Sequence, residues 1–184
     1  MNKMTNSMSA TLAVAVLAVS SAAFAASMSK EDYRARKVQI SNTYKVDKKA
    51  CGSLAGNAQD ICQQEAKGKE KVARAEVEYQ YTGKPRDNEK LAKAKADAAY
   101  EVAKEKCDDL TGNPKDVCVK QAKANHVAAK ADAKTVKTVA TTRIDAADEK
   151  RDAQYKVAAE KCDALSGDAK SSCIKSAKAR YGKT

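Results

Sequence analysis

Cys107-Asp-Asp-Leu110-Thr-Gly112-Asn113-Pro114-Lys-Asp116-Val-Cys118 is the stretch from which the architecture of this 184-residue chain can be read. It recurs from Cys51 to Cys62 and from Cys162 to Cys173. Each copy has ten residues between the cysteines, a Leu three after the first and a Gly two after that. Glycine takes the left-handed conformation without a Cβ penalty, so Gly112 reads as the residue just past a helix end. Asn113 then reads as the cap of the next helix and Pro114 as its first residue, where a missing N–H costs nothing. Asp116 adds a favourable charge to that first turn. Gly56-Asn57 with Asp60, and Gly167-Asp168, repeat the grammar.

Each first cysteine stands five residues before the glycine, and each second one five after the residue that follows it. At about 1.5 Å rise per residue, both reach nearly the same height above the turn on facing helices. That geometry predicts the disulfides Cys51–Cys62, Cys107–Cys118 and Cys162–Cys173, which need Cα atoms roughly 4.4–6.8 Å apart. The expected fold is all-α: elongated antiparallel helical hairpins in three repeats, each stapled across its turn. First cysteines 56 and then 55 residues apart set the period.

Outward from the loops, helices are predicted over 28–54, 57–81, 86–110 and 168–181. Thr82-Gly83-Lys84-Pro85 reads as the clearest linker. From Pro114 to Leu165 there is no Gly or Pro, which suits one helix of about 50 residues. Its weak point is Thr135-Val-Lys-Thr-Val-Ala-Thr-Thr142, where β-branched residues lower helix propensity and leave room for a kink or short break. The units are therefore hairpins over 26–81, 86–134 and 135–184, with 82–85 between the first two. Tyr100, Ala103, Cys107 and Leu110 recur as Tyr155, Ala158, Cys162 and Leu165, at the spacing of a coiled-coil seam. The first unit has Tyr44, Asp47, Cys51 and Leu54. Ala66, Ala122 and Ala177 each follow a second cysteine by four residues, on the face where a partner helix must approach. These seams suit closure within one chain or between two copies.

The chain opens with Met1-Asn-Lys3, an apolar run from Leu12 to Val19, and Ala23-Phe24-Ala25. This is the pattern of a cleavable secretory signal peptide over 1–25, and the run is too short to span a membrane comfortably. With no Cys at the cleavage site, a lipid anchor there is not expected. Six cysteines agree with an oxidising compartment, and a bacterial periplasm is the expected location.

Net charge is +11, the chain has no Trp, and its single Phe is Phe24. Ala dominates the apolar residues and buries little area, which argues against a thick core and for thin stapled helices. No Gly-rich phosphate loop, G-x-S-x-G, H-E-x-x-H or EF-hand loop occurs, so no enzyme activity and no cofactor are expected. His126, the lone histidine, sits in a predicted helix as a surface or seam residue with no triad partner. C-x10-C across a turn has the wrong spacing for zinc and is not the redox C-x-x-C, although six thiols leave a metal or redox protein as an alternative. Lys and Arg along every helix suit polyanions: lipopolysaccharide, phospholipid headgroups through peripheral membrane contact, or nucleic acid. Acids interleave with them, as on a solvated helix face. No stacking platform or recognition motif supports nucleic acid.

The Lys/Ala-rich run Leu91-Ala-Lys-Ala-Lys-Ala-Asp-Ala-Ala-Tyr100 is similar to the helical middle region of TolA-type cell-envelope proteins. With the signal peptide and the Tyr-x-Val-Ala-x-x-Lys-Cys blocks, the chain resembles uncharacterised exported Ala/Lys-rich proteins of Gram-negative bacteria. The resemblance is one of composition. It implies an envelope location and long helices, and transfers no functional residue. The expected function is a non-enzymatic periplasmic structural or interaction protein, with binding of anionic envelope components as the alternative.

Overall fold

The computed structural model describes residues 28–184. The predicted signal peptide and the cleavage point after Ala25 lie outside the described residues. Five helices follow one another: α1 Lys30–Ala50, α2 Gly56–Thr82, α3 Pro85–Cys107, α4 Gly112–Cys162 and α5 Gly167–Tyr181, with a 3-10 turn at Cys51–Ser53 after α1. No strand occurs among the described residues. Disulfides join Cys51 to Cys62, Cys107 to Cys118 and Cys162 to Cys173, with Cα atoms 5.6–5.7 Å apart.

The helices form a row. α1 lies on α2, α2 on α3, α3 on the first part of α4, and α5 on its last part; no other pair of helices meets among the described residues. A single layer leaves two faces open to water, and the interior is accordingly small. Ten apolar residues are buried, and apart from Val77 and Leu91 they are alanines and the three first cysteines. Ala66, Ala122 and Ala177 are among them.

The loops differ from expectation in two ways. Gly56, Gly112 and Gly167 are left-handed, with φ of 57°, 60° and 57°. They stand at the start of the following helix, however, not the end of the preceding one. α3 and α4 end at the cysteine and α1 one residue before it; two turn residues follow the cysteine, then two more ending in the extended N-cap, and the glycine turns the chain into the next helix. The N-cap residues are Ala55, Thr111 and Ser166, none of which makes a side-chain cap bond. Asn57 does not cap; its amide donates to the Glu105 carbonyl of α3 at 2.9 Å, tying the first loop to the second. Leu54, Leu110 and Leu165, read as seam residues, lie beyond their helix ends and are 40–44% exposed. Their N–H groups instead close each loop on the carbonyls of Cys51, Cys107 and Cys162. In the second and third loops a lysine reaches back to the aspartate after the first cysteine: Lys115–Asp108 at 2.8 Å and Lys170–Asp163 at 2.9 Å.

Thr82–Pro85 is a corner with only Gly83 and Lys84 outside helices. Left-handed Gly83 ends α2, its N–H bonding the Tyr79 carbonyl at 2.8 Å, and Pro85 starts α3. Thr82 Oγ1 donates to Asp87 Oδ2 at 2.8 Å across the corner. Such a short connection presses α2 onto α3. A Cβ on Gly68 would stand 2.9 Å from the Ala98 Cβ, so the pair meets nearly backbone to backbone. Gly68→Leu should lower stability by about 1–3 kcal/mol, the usual cost of overpacking, read as a lower urea midpoint. An unchanged or higher midpoint would refute the close approach.

α4 is one continuous helix of 51 residues, unbroken through Thr135–Thr142 and through the expected boundary at 134/135. Its faces change along its length. His126, Ile144 and Cys162 are 18 residues apart, five full turns, and so share one face. His126 meets α3 and Cys162 is bonded to α5, so both helices lie on that face, one beyond the other. Between them, among the described residues, no ion pair or hydrogen bond joins α4 to another helix: the last toward α3 is Lys137–Glu89 at 3.1 Å, and Asp152 pairs with Lys183 just past α5. Residues 141–145 and 147–154 are all exposed, including Ile144 at 48%.

Candidate functional site

Polar contacts between neighbouring helices fall at matching distances from the cysteines. Ten residues before each first cysteine stand Ser41, Asp97 and Asp152. Twelve after the second cysteines of the first two loops stand Arg74 and Lys130. Arg74 donates to Ser41 at 2.7 Å and pairs with Glu70 at 2.8 Å, clamping α1 on α2. Asp97 takes His126 Nε2 at 2.5 Å and Lys130 at 3.8 Å, clamping α3 on α4. Asp152 pairs with Lys183, and that ammonium holds the Asp152 carboxyl below its usual range.

His126 therefore has partners that its position in the sequence did not reveal. Its ring stacks on Tyr100 at 4.7 Å between centroids, and Asp97 holds the Nε2 atom. This group is a helix clamp: it offers an oriented imidazole and a carboxylate but no serine or cysteine nucleophile bonded to them, and the six cysteines are all in disulfides. Among the described residues no three His, Cys, Asp or Glu side chains stand close enough to hold a metal ion. Tyr44 and Tyr155, the counterparts of Tyr100, are likewise half-buried beside their neighbouring helices.

The charge is sorted by position in the row. α2 and α3 are close to neutral, with four basic to five acidic and six basic to five acidic residues. Some of their ions are paired: Glu89 sits between Lys93 at 2.6 Å and Lys137 at 3.1 Å, whose hydrogen bonds lower its pKa. The outer helices hold the excess. α1 has seven basic and three acidic residues, residues 112–143 of α4 have seven and two, and α5 has four and one. None of the seven cations of α1 is ion-paired among the described residues; Arg36 bonds Gln80 at 2.7 Å and Lys37 lies over the Tyr33 ring.

α1 is held to α2 mainly by polar and aromatic contacts and has no buried residue of its own. Tyr33 stacks on Tyr81 at 4.6 Å and donates its hydroxyl to Glu78, a bond that raises the tyrosine pKa. Ser29, which the sequence reading overlooked, caps α1 by accepting the Asp32 N–H at 3.0 Å and donating to its carboxylate at 2.9 Å. The signal was present as Ser-x-x-Asp, a relative of the capping box. No helix among the described residues is long and apolar enough to cross a membrane. No known protein family, no curated protein and no solved structure matches the chain.

Proposed function

We propose that the chain is a non-enzymatic spacer and interaction protein of the bacterial cell envelope. It is exported through the signal peptide over 1–25 and oxidised in the periplasm. Three stapled hairpins of about 55 residues are its repeating unit, the first two packed side by side and the third carried away from them by α4. The observation that carries this reading is the stretch of α4 around Ile144, exposed at every residue of 141–145 and flanked at both ends by disulfide-fastened helices. A lone helical segment separates two bodies at a set distance; a packed enzyme domain has no use for one. Three disulfides supply the oxidising-compartment part of the argument.

Small-angle scattering tests the spacer directly. α4 alone, at 51 residues, is about 77 Å long, so the particle should have a maximum dimension of at least that size. Ile144→Pro should break the rod where nothing packs on it, and broaden the distance distribution without releasing the stapled helices. A maximum dimension well below α4's length, or a proline variant that scatters like the parent, would sink the reading. Cell fractionation with thiol blocking tests the compartment, the expected product being residues 26–184 with no free thiol.

A second reading, binding to anionic envelope components, is favoured by the concentration of unpaired cations on the outer helices. Its mark is binding that collapses as salt rises.

A further inference from the structure

We propose that α1 is the membrane-facing edge of the row and lies along an anionic lipid surface. This assignment rests on the anionic-partner reading and adds the place and the partner. Lys30, Arg34, Lys37, Ser41, Lys45 and Lys48 follow one another at intervals of 4, 3, 4, 4 and 3, which puts them on one stripe of the helix. The stripe runs about 27 Å and contains no acid. At Ser41, its one uncharged position, the hydroxyl accepts from Arg74 of α2, whose charge Glu70 balances, so the gap adds no net charge to the stripe. The acids of α1 stand elsewhere: Glu31 and Asp32 in the first turn, and Asp47 in the groove shared with Ala66 and Lys69 of α2.

A second stripe runs beside the first. Ala35, Val38, Asn42 and Val46 line a shallow depression on the outer face, with Val38 62% and Val46 67% exposed. Small apolar groups flanked by lysines and arginines form the face of a helix that rests in the headgroup region of a bilayer. Among the described residues α1 touches only α2 and the turn after it, so a flat surface can reach the full length of both stripes.

Charge selects this partner over a second copy of the chain. Of the other open surfaces, residues 112–143 of α4 and α5 are also positive, and the nearly neutral α2 and α3 are each covered on two sides. Docking residues 112–143 of α4 or α5 of a second copy on α1 would set like charges against each other, and residues 144–162, with four basic and five acidic side chains, are too nearly balanced to match the excess on α1. The two tyrosines of α1 pack toward α2, leaving no aromatic ladder for nucleic acid bases.

The experiment uses the full oxidised chain and co-sedimentation with phosphatidylcholine vesicles containing roughly one-third phosphatidylglycerol. The wild-type chain should bind at low salt, release at about 0.5 M salt, and ignore pure phosphatidylcholine. The variant Arg34→Gln/Lys37→Gln/Lys45→Gln/Lys48→Gln should bind about 100- to 1,000-fold more weakly. Lys120→Gln/Lys123→Gln/Lys134→Gln/Arg143→Gln removes the same charge from α4 and should change binding at most about tenfold. Circular dichroism of both variants checks that the helices persist. If both weaken binding equally, or only the α4 variant does, the α1 assignment fails while the anionic-partner reading stands. A wild-type chain that binds soluble heparin but not the vesicles overturns the lipid surface. Binding to neither overturns both readings.

Discussion

Replacing Cys162 and Cys173 with serine should release α5 from the protein while α1, α2 and α3 stay folded. α5 has 15 residues, a length at which an isolated helix is marginal in water, and it touches only α4. Its one buried residue is Ala177, whose methyl contributes little. The disulfide closes a loop of 11 residues and is worth about 3 kcal/mol, more than any other contact α5 makes. Without it, amides of 167–181 should exchange at nearly unprotected rates, and helical ellipticity should fall by the share of those residues. Because each helix meets only its sequence neighbours, the loss should stop at α4, as in repeat proteins with nearest-neighbour coupling. Cys107→Ser/Cys118→Ser should do more, freeing the first half of α4 from α3 against the clamps at Asp97 and Glu89, the Tyr100–His126 stack and the small buried side chains Ala122 and Ala133. Reducing all three bridges should remove most of the cooperative transition, since few large apolar side chains are buried. Hydrogen exchange with mass spectrometry decides it: α5 amides as protected in the serine variant as in the parent would show that packing, not the bridge, holds the helix.

What could be read in advance follows from how local each feature is. Ten residues between paired cysteines, with a glycine five after the first, describe a loop whose geometry depends on nothing outside it. The small residues Ala66, Ala122 and Ala177 are legible for the same reason, lying one helical turn beyond a cysteine that faces the partner. The glycine's place at the head of the second helix is harder to see, because the same left-handed residue serves either end. Leu110 and its counterparts mislead because a seam spacing continued past the helix end meets a loop, where the side chain points to water. The row itself is a tertiary fact: no pattern in Arg86–Cys107 says that α3 is covered on two sides, or that α5 lies beyond it along α4. His126 and Asp97, 29 residues apart, become partners only through that packing. Gly68 reads as a weakness within a lysine-rich helix until Ala98 is placed against it.

Asp87→Ala should be the most damaging single change at an ionised residue, and the parent's stability should fall in acid because of the same carboxylate. Asp87 is 1% exposed in the first turn of α3, where a negative charge opposes the helix dipole favourably. Lys90 meets its Oδ1 at 2.9 Å, Thr82 its Oδ2 at 2.8 Å, and Arg86 lies 3.4 Å away. The hydrogen bond from Lys90, then that from Thr82, hold its pKa at about 2 against burial, which pushes the other way. A carboxyl with a lower pKa in the folded state binds fewer protons there than in the unfolded chain. Its stabilisation is therefore complete above about pH 5 and lost as the pH falls toward 2. Lys90 and Arg86 remain more than half exposed, so solvent screens them and the contribution is at most about 2 kcal/mol. Alanine loses this and leaves the Thr82 hydroxyl without its acceptor at the corner, for a total of about 2–3 kcal/mol. Asparagine keeps an acceptor for Thr82 but cannot titrate. Asp87→Asn should thus start from a lower stability at pH 7 and lose less than the parent between pH 7 and pH 3. Glu89 and Asp152, whose pKa values are also lowered by lysines, account for the acid sensitivity that persists in the variant. Urea midpoints of both chains at the two pH values settle the matter. If parent and Asp87→Asn lose equal stability on acidification, the corner is held by its backbone and its packing, and the charge at Asp87 is incidental.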